Sequence, residues 1–421
     1  VSDPVFDVPR ELATTPVPRE SAFRLLQRRE FRTLFVAVSI SELGDAMQYI
    51  ALMWFALEKS GTLGVVAVRL ADSVPAFFFG LHGGLAADRW SRKKLMIGSD
   101  LVRAAVLVPV AIAGLAGSLP LWGLIVSAFL LEAATSYFAP AYGATIPTLV
   151  DRENVQSANA LVQATTQALS VGGWALAAGL LTFLPVSTFF AVDAASFFLS
   201  ALLIMRLRPG AARPAEASAP RVREGIAALK PYPSLGIGVF AMGVAMTITT
   251  GTWIGGIPTF LRNTLHHGAS GFSLVMIGFA IGSIAVGALL ARVPVKNKTR
   301  ASLLAWAVYL PAYGVIAFAT SLPMAFAGAI GSGLGESASL VLLDSAAQEE
   351  APDHVLGRVL GLISLVHRGA HATGLLLVSP LFAVLPARAV FGAAAVTVPL
   401  VALAGAALAG RAAAAAPLAD P

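Results

Sequence analysis

"GGLAADRWSRKKLM", residues 83–96, sets one acid and four basic residues between long runs of Leu, Val, Ala, Phe and Gly. The contrast is set by the rest of the chain. Of its 421 residues, 57% are hydrophobic and 12% charged, and the mean hydropathy is +0.78. A soluble domain carries about a quarter charged residues. A chain this apolar has too few polar groups to cover a water-facing surface. The composition therefore indicates an integral membrane protein, and residues 83–96 read as a place where one spanning segment ends and the next begins.

Working outward from that turn, a spanning helix needs roughly 20 mostly apolar residues. About twelve segments meet that length, at 33–58, 62–88, 95–117, 120–147, 156–184, 186–207, 233–261, 270–292, 301–320, 322–346, 356–382 and 386–410. The connections are short except for "RPGAARPAEASAPRVREGIAALKP", residues 208–231, which is polar, basic and Pro-rich. The expected organisation is a cytoplasmic tail (1–32), a six-helix bundle (33–207), a cytoplasmic linker (208–232), a second six-helix bundle (233–410) and a C-terminal tail (411–421). Within the linker, "VREGIAALK" has the pattern of a short helix lying on the membrane surface. The Pro-rich opening "VSDPVFDVPRELATTPVPRE" lacks the apolar core of a signal peptide and reads as a disordered tail.

Lys and Arg set the expected orientation. With the N-terminus in the cytoplasm, Arg10, Arg19, Arg24, Arg28, Arg29 and Arg32 lie inside. So do Arg89, Arg92, Lys93 and Lys94, the linker bases, and the group from Arg292 to Arg300. The other side keeps Lys59, Arg262 and Arg388. Both termini are expected in the cytoplasm. The net charge of +6 is spread over short interhelical segments, a pattern that argues against nucleic acid. Absence of cysteine excludes disulfides and thiolate metal sites. No metal or cofactor is expected.

In the opening stretch, Lys93 and Lys94 are accounted for as a positive-inside anchor. Asp88 is not, because an acid adds nothing to orientation. Gly84 stands one helical turn before it, a spacing that suits close helix approach. Asp88 is expected to accept hydrogen bonds from a neighbouring helix N-terminus and to pair with Arg92, forming a latch between two bundles.

Gly84, Asp88, Arg89, Ser91, Arg92 and Lys93 resemble the G-x-x-x-D-R-x-G-R-R/K loop between the second and third helices of the major facilitator superfamily, with Ser91 in place of the second Gly. The resemblance covers roughly residues 31–410. "SELGDAMQYIALMWFALEKSGT", "SDLVRA", "YFAPAYGATIPTLVDRENVQSANALVQ", "FFAVDAASFFLSALLI" and "LGRVLGLISLVHRGA" are similar to bacterial macrolide-efflux and enterobactin-export proteins. The resemblance implies a transporter in the bacterial cytoplasmic membrane that exports a small amphipathic molecule by proton antiport. A monomer is expected. Two stretches depart from the family. "SVGGWALAAG" has Trp174 where many drug–proton antiporters carry Pro, and "ARVPVKNKTR" keeps basic charge without Asp-Arg.

Charges inside the spans are candidates for function, since each costs about 2.5–3.5 kcal/mol or more at mid-bilayer. Glu42 and Asp45 are three apart on one helix face, about 14–18 Å from the cytoplasmic end, and Gln48 continues that face. Arg69 and Asp72 repeat the spacing. Glu132 lies near the midplane, Asp193 further out, and Glu336 further in, while the eleventh segment carries His367, Arg368 and His371. Glu42, Asp45 and Glu132 lead as proton-coupling groups, with Asp72, Glu336 and His367 behind them; Glu336 and His367 suggest a titratable pair. Asp72–Arg69, Asp100–Arg103 and Asp193 read equally well as fixed pairs that order the bundle. Asp100 and Arg103 are expected to join Asp88 and Arg92 in the gate. Gln48, Tyr49, Arg69, Trp253 and Arg368 are candidates to line a substrate cavity, although aromatic residues also serve packing and the interfacial belt.

"GSGLGES", residues 331–337, follows no strand and lies within a span, so helix packing accounts for it better than a nucleotide loop. Pro75 and Pro140 suggest kinks. A lipid or lysolipid flippase of the same fold is the alternative function. A membrane-bound enzyme is remote, since neither HExxH nor G-x-S-x-G occurs, and a receptor would be expected to carry a large soluble domain.

Overall fold

A helix satisfies its own backbone hydrogen bonds in lipid, and helices make up the regular structure of the described residues. A computed structural model describes residues 22–151, 154–208, 222–290, 292–351 and 353–415. Before the linker run α1 (Arg29–Arg89), α2 (Arg92–Leu115), α3 (Leu121–Leu149), α4 (Val155–Leu180) and α5 (Thr188–Met205). After it run α6 (Val222–Leu229), α7 (Pro233–Gly251), α8 (Ile257–Asn263), α9 (Ala269–Leu290), α10 (Lys298–Ala305), α11 (Tyr309–Ala317), α12 (Leu322–Glu350), α13 (Asp353–Leu377), α14 (Leu381–Val384) and α15 (Ala387–Ala415). Before the linker, α1 packs on α3, α4 and α5, and α2 packs on α3 and α5. After it, α9 packs on α12, α7 on α13 and α15, and α11 on α12 and α15. Contact between the two sets runs through α4 with α9, and α1 with α8, α9 and α13.

Ten helical stretches among the described residues are long and apolar enough to cross a membrane. Two features separate this from about twelve expected segments. The first two segments form one helix of 61 residues, α1, which breaks at Ser60 (φ −149°) and Gly61 (φ 61°). Glycine adopts that left-handed angle without steric cost. The fifth segment forms α4, whose middle carries Gln163, Thr165, Thr166 and Gln167, and it is not among the ten.

Glycine sets the closest helix contacts. A Cβ on Gly333 would strike the Phe279 carbonyl, and one on Gly282 the Ile330 carbonyl, so α9 and α12 meet through bare backbone. That is the packing role read for residues 331–337. In the opening stretch the structure corrects the expectation. A Cβ on Gly84 would meet open space, whereas one on Gly83 would strike the Ser136 carbonyl of α3. Close approach there depends on Gly83.

The same stretch is rich in bases because helix ends surround it. Carbonyls in the last turn of a helix lack intrahelical donors and carry partial negative charge. Lys93 Nζ donates to Met205 O (2.7 Å) and to Leu207 O, capping the end of α5. Arg92 donates to Ala144 O in the last turns of α3 (2.8 Å) and to Ala87 O (3.4 Å). Ser91 accepts from Lys94 N as the N-cap of α2, which explains Ser at this position of the loop. The side chain of Asp88 lies outside the described set, so the expected Asp88–Arg92 latch does too; Arg89 is exposed.

One expected boundary shifts. Ala22–Gln27 form a 3₁₀ turn and α1 begins at Arg29, so order starts before the expected tail ends. Leu25 and Phe31 drive this by burying against Ala87, Met96 and Phe138. Residues 1–21 and 209–221 lie outside the described set. The linker forms the expected short helix, α6, which packs on α13 and α7 and buries Ala228 and Leu229.

Candidate functional site

The expected site residues fall into three groups. The first surrounds Arg103 of α2. Arg103 and Asp100 form an ion pair, with side-chain exposures of 5% and 0%. The guanidinium lies between Phe138 of α3 (4.6 Å) and Phe197 of α5 (4.1 Å). Cations are held over ring faces by the ring quadrupole. Its field also reaches Glu42 and Asp45 of α1. At 1.5 Å per residue, Arg103 stands about 17 Å along α2 from Arg92. Asp100 and Arg103 are therefore placed with the α1 acids; the expected link to Asp88 involves a side chain outside the described set.

Asp193 of α5 completes this group. It is fully buried and accepts a hydrogen bond from Ser196 Oγ (2.9 Å). The Ser196 hydroxyl and an Asp193 oxygen fill the space that a Cβ on Gly44 would occupy. On the opposite helix, Gly173 brings α4 against Leu43 and Ala46. The segment 43–46 is thus held between α4 and α5 by two glycines. Glu42 and Asp45 are partly exposed, and neither has an ion pair or hydrogen bond among the described residues. Four carboxylates consequently share one guanidinium, which Asp100 already occupies.

The second group spans the contact between the halves. Arg69 and Asp72 form an ion pair (2.5 Å), and the Arg69 guanidinium lies 5.5 Å from the Tyr49 ring centre. Tyr49 in turn faces Phe272 of α9 at 6.5 Å. Glu132 lies within electrostatic reach of Arg69, Asp72 and Asp45, and of Arg368 on α13. His367 stacks on His371 at 4.8 Å, and His371 is in turn within reach of Arg69. Gln48 Nε2, Arg69 Nε and His371 Nε2 are buried without hydrogen-bond partners among the described residues. Arg368 is exposed.

The third group lies wholly after the linker. Tyr309 donates to Glu336 Oε2 (3.1 Å), and Tyr313 donates to the Thr249 carbonyl (3.1 Å). Rings at Trp306, Tyr309, Tyr313 and Phe391 touch in sequence, and Phe382 and Phe260 both meet Phe391. The expected Glu336–His367 pair is not formed: a tyrosine holds Glu336 and a second imidazole holds His367. Trp253 sits in a π-helical segment, Thr252–Gly256, between α7 and α8, with its ring 4.9 Å from Phe279. π segments occur often at functional sites.

Among the described residues, two side-chain hydrogen bonds join the part before the linker to the part after it, both beside the α1 break. Thr62 and Thr259 hydroxyls are 2.8 Å apart, and Arg262 donates to Leu57 O at 2.6 Å. Sequence reading missed both, and missed Gly44, Phe138, Phe197 and Tyr309. The small and aromatic residues gave no signal because their roles depend on which helices become neighbours. Arg262 was visible only as a loop charge. At the opposite end, Arg28 and Asp151 form an ion pair between the start of α1 and the α3–α4 loop. The Arg28 hydrogen bond, aided by its charge, holds the Asp151 carboxyl below the usual carboxylate range. A hollow of about 1090 Å³ lined by Arg28, Pro147, Asp151 and Val155 lies there and includes none of the charges in the three groups.

Known proteins are similar to this chain in sequence and in fold. Macrolide efflux protein A of Streptococcus pyogenes is 26% identical over 271 residues, covering 62% of this chain and 66% of the relative. The multidrug efflux pump Tap of Mycobacterium bovis is 26% identical over 387 residues, covering 86% and 87%. The nucleoside transporter NupG shares the fold, with a TM-score of 0.69 at 14% identity over 90% of this chain and 98% of that one. Fold and family are those of transporters, not enzymes, so a small-molecule substrate and a membrane are their partners. Residues 20–418 match the transmembrane secretion effector family, and the chain belongs to that family of major facilitator transporters.

Proposed function

We propose that the protein exports a small amphipathic molecule across the bacterial cytoplasmic membrane in exchange for protons, as a monomer with both termini in the cytoplasm. One observation carries this reading. Glu42 and Asp45 lie partly exposed inside a spanning helix, unpaired among the described residues, beside a guanidinium already committed to Asp100. An ionisable group in that position is expensive unless it has work to do. Efflux relatives support export, with a macrolide as the first candidate substrate.

The bundles 33–207 and 233–410 rock about the site between them, as in carriers built from repeats. The hydrogen bonds Thr62–Thr259 and Arg262–Leu57 support a state closed at the end bearing Lys59. Glu42, Asp45 and Glu132 take up protons, and Asp72 stays with Arg69. Tyr49, Trp253, Gln48, Arg69 and Arg368 meet the substrate. The buried nitrogens of Gln48, Arg69 and His371 suit acceptor oxygens on that molecule. Glu336 and His367 act as structural partners of Tyr309 and His371.

The test is transport by purified protein in proteoliposomes under an imposed pH gradient, screened with a macrolide, a siderophore and a lysolipid. Uphill macrolide movement is expected, lost in the triple variant Glu42→Gln, Asp45→Asn, Glu132→Gln. Full pH-driven transport by that variant would contradict the reading. Lysolipid movement insensitive to pH would favour the flippase instead.

A further inference from the structure

The mechanism so far leaves Asp193 unused, yet it is as enclosed as Asp100 and, unlike Asp100, has no ion pair among the described residues. Its residue exposure is 0%, and Oδ1 accepts from Ser196 while Oδ2 has no partner among the described residues. A lone hydroxyl donor does not offset the burial of a full negative charge. The groups that face it are Asp45 from α1, and Asp100 and Arg103 from α2. Arg103 is paired with Asp100, so among the described residues that face Asp193 no unpaired cation remains. Gly44 has a second consequence. Because it lacks a Cβ, the Asp193 carboxyl lies against the α1 backbone one residue from Asp45.

We propose that Asp193 is a second proton-holding residue, and that it shares one proton with Asp45 across the α1–α5 contact at Gly44. Two neighbouring buried carboxylates do not both remain ionised at low cost, so the pair carries one proton and one negative charge. In the transfer, the O–H bond on Asp193 Oδ2 breaks and an O–H bond forms on the Asp45 carboxylate; the charge of the pair stays at one negative. Asp45 is partly exposed and Asp193 is not. Asp45 is therefore the port, and Asp193 is the reservoir held away from substrate. Movement of α1 relative to α5 would then change the proton affinity of the pair without competition from substrate. This inference rests on the proton-exchange reading and deepens it.

Infrared spectroscopy of the purified full-length protein in lipid tests it without any substrate. The observable is the carbonyl stretch of a protonated carboxylic acid, followed against pH and identified by its downshift in D₂O. Wild type is expected to show the band. Asp193→Asn is expected to lose one component of it while those of the other protonated acids remain, and Asp193→Glu to restore that component at a shifted frequency. Asp45→Asn is expected to keep it but move its midpoint by about one pH unit or more. A wild-type protein without the band at any pH where it is folded overturns the proposal, even if Asp193→Asn cannot be purified. So does an Asp193→Asn protein with the wild-type band and midpoint. The outcome separates from the transport reading. A band assigned to Asp193 with pH-insensitive transport would refute proton exchange alone, and pH-driven transport without the band would refute the reservoir alone.

Discussion

The two halves of the molecule use buried polarity differently. Before the linker, Glu42, Asp45, Asp100 and Asp193 gather around one guanidinium, and Glu132 sits beside a second ion pair. After it, Glu336 is held by a phenol within a chain of touching rings. Helix packing is alike on both sides, through glycines that let backbones meet, as at Gly83 with α3 and Gly333 with α9. The difference lies in charge. An excess of carboxylates over cations can bind and release protons, whereas a carboxyl fixed by a tyrosine in an aromatic wall orders a bundle.

The sharpest way to break this contrast is to remove the cation. Arg103→Leu leaves Asp100 buried without its partner, a change that typically costs about 3–5 kcal/mol. The variant is expected to unfold at clearly lower denaturant than wild type in detergent. The matching change after the linker, Tyr309→Phe, leaves Glu336 without its described donor and is expected to cost about 1–3 kcal/mol in the same assay. Equal losses would remove the distinction between the halves.

Adjacent glycines probe the shared packing. Gly83→Ala forces a Cβ into the Ser136 carbonyl and is expected to destabilise by about 1–3 kcal/mol. Gly84→Ala fills open space within a helix and is expected to be neutral or to stabilise by up to about 1 kcal/mol. Thermal unfolding of the two variants should therefore move in opposite directions or differ clearly in size.

The smallest effect belongs to the exposed pair. Arg28 lowers the Asp151 value in the folded state, so its contribution is present above the ordinary carboxylate range and fades as pH falls through the lowered value. Acid titration of stability is expected to show a slight loss in wild type that Asp151→Asn lacks. Salt should weaken it, unlike the buried Arg103 pair.

Much of this was legible in the sequence, for identifiable reasons. Apolar runs of spanning length located the helices, and spacing of three placed Arg69 with Asp72 and Asp100 with Arg103. Both are local properties. What sequence could not supply was which helices become neighbours. Asp193 read equally well as a functional acid or as part of a fixed pair, and its setting depends on Gly44 of α1, some 150 residues earlier in the chain. Glu336 read as a partner for His367 because both are ionisable; the structure gives it Tyr309, brought near by packing of α11 on α12. The Gly84 reading failed by one residue, since a helical repeat does not say which of two neighbouring glycines faces the contact.

The most direct test of the central claim is proton flux coupled to substrate, followed with a pH-sensitive dye trapped in proteoliposomes when a macrolide is added. Wild type and Glu336→Gln are expected to move protons on macrolide addition, and Asp45→Asn is expected to move none. Undiminished flux in Asp45→Asn, or its loss in Glu336→Gln alone, would contradict the assignment of proton coupling to the first half.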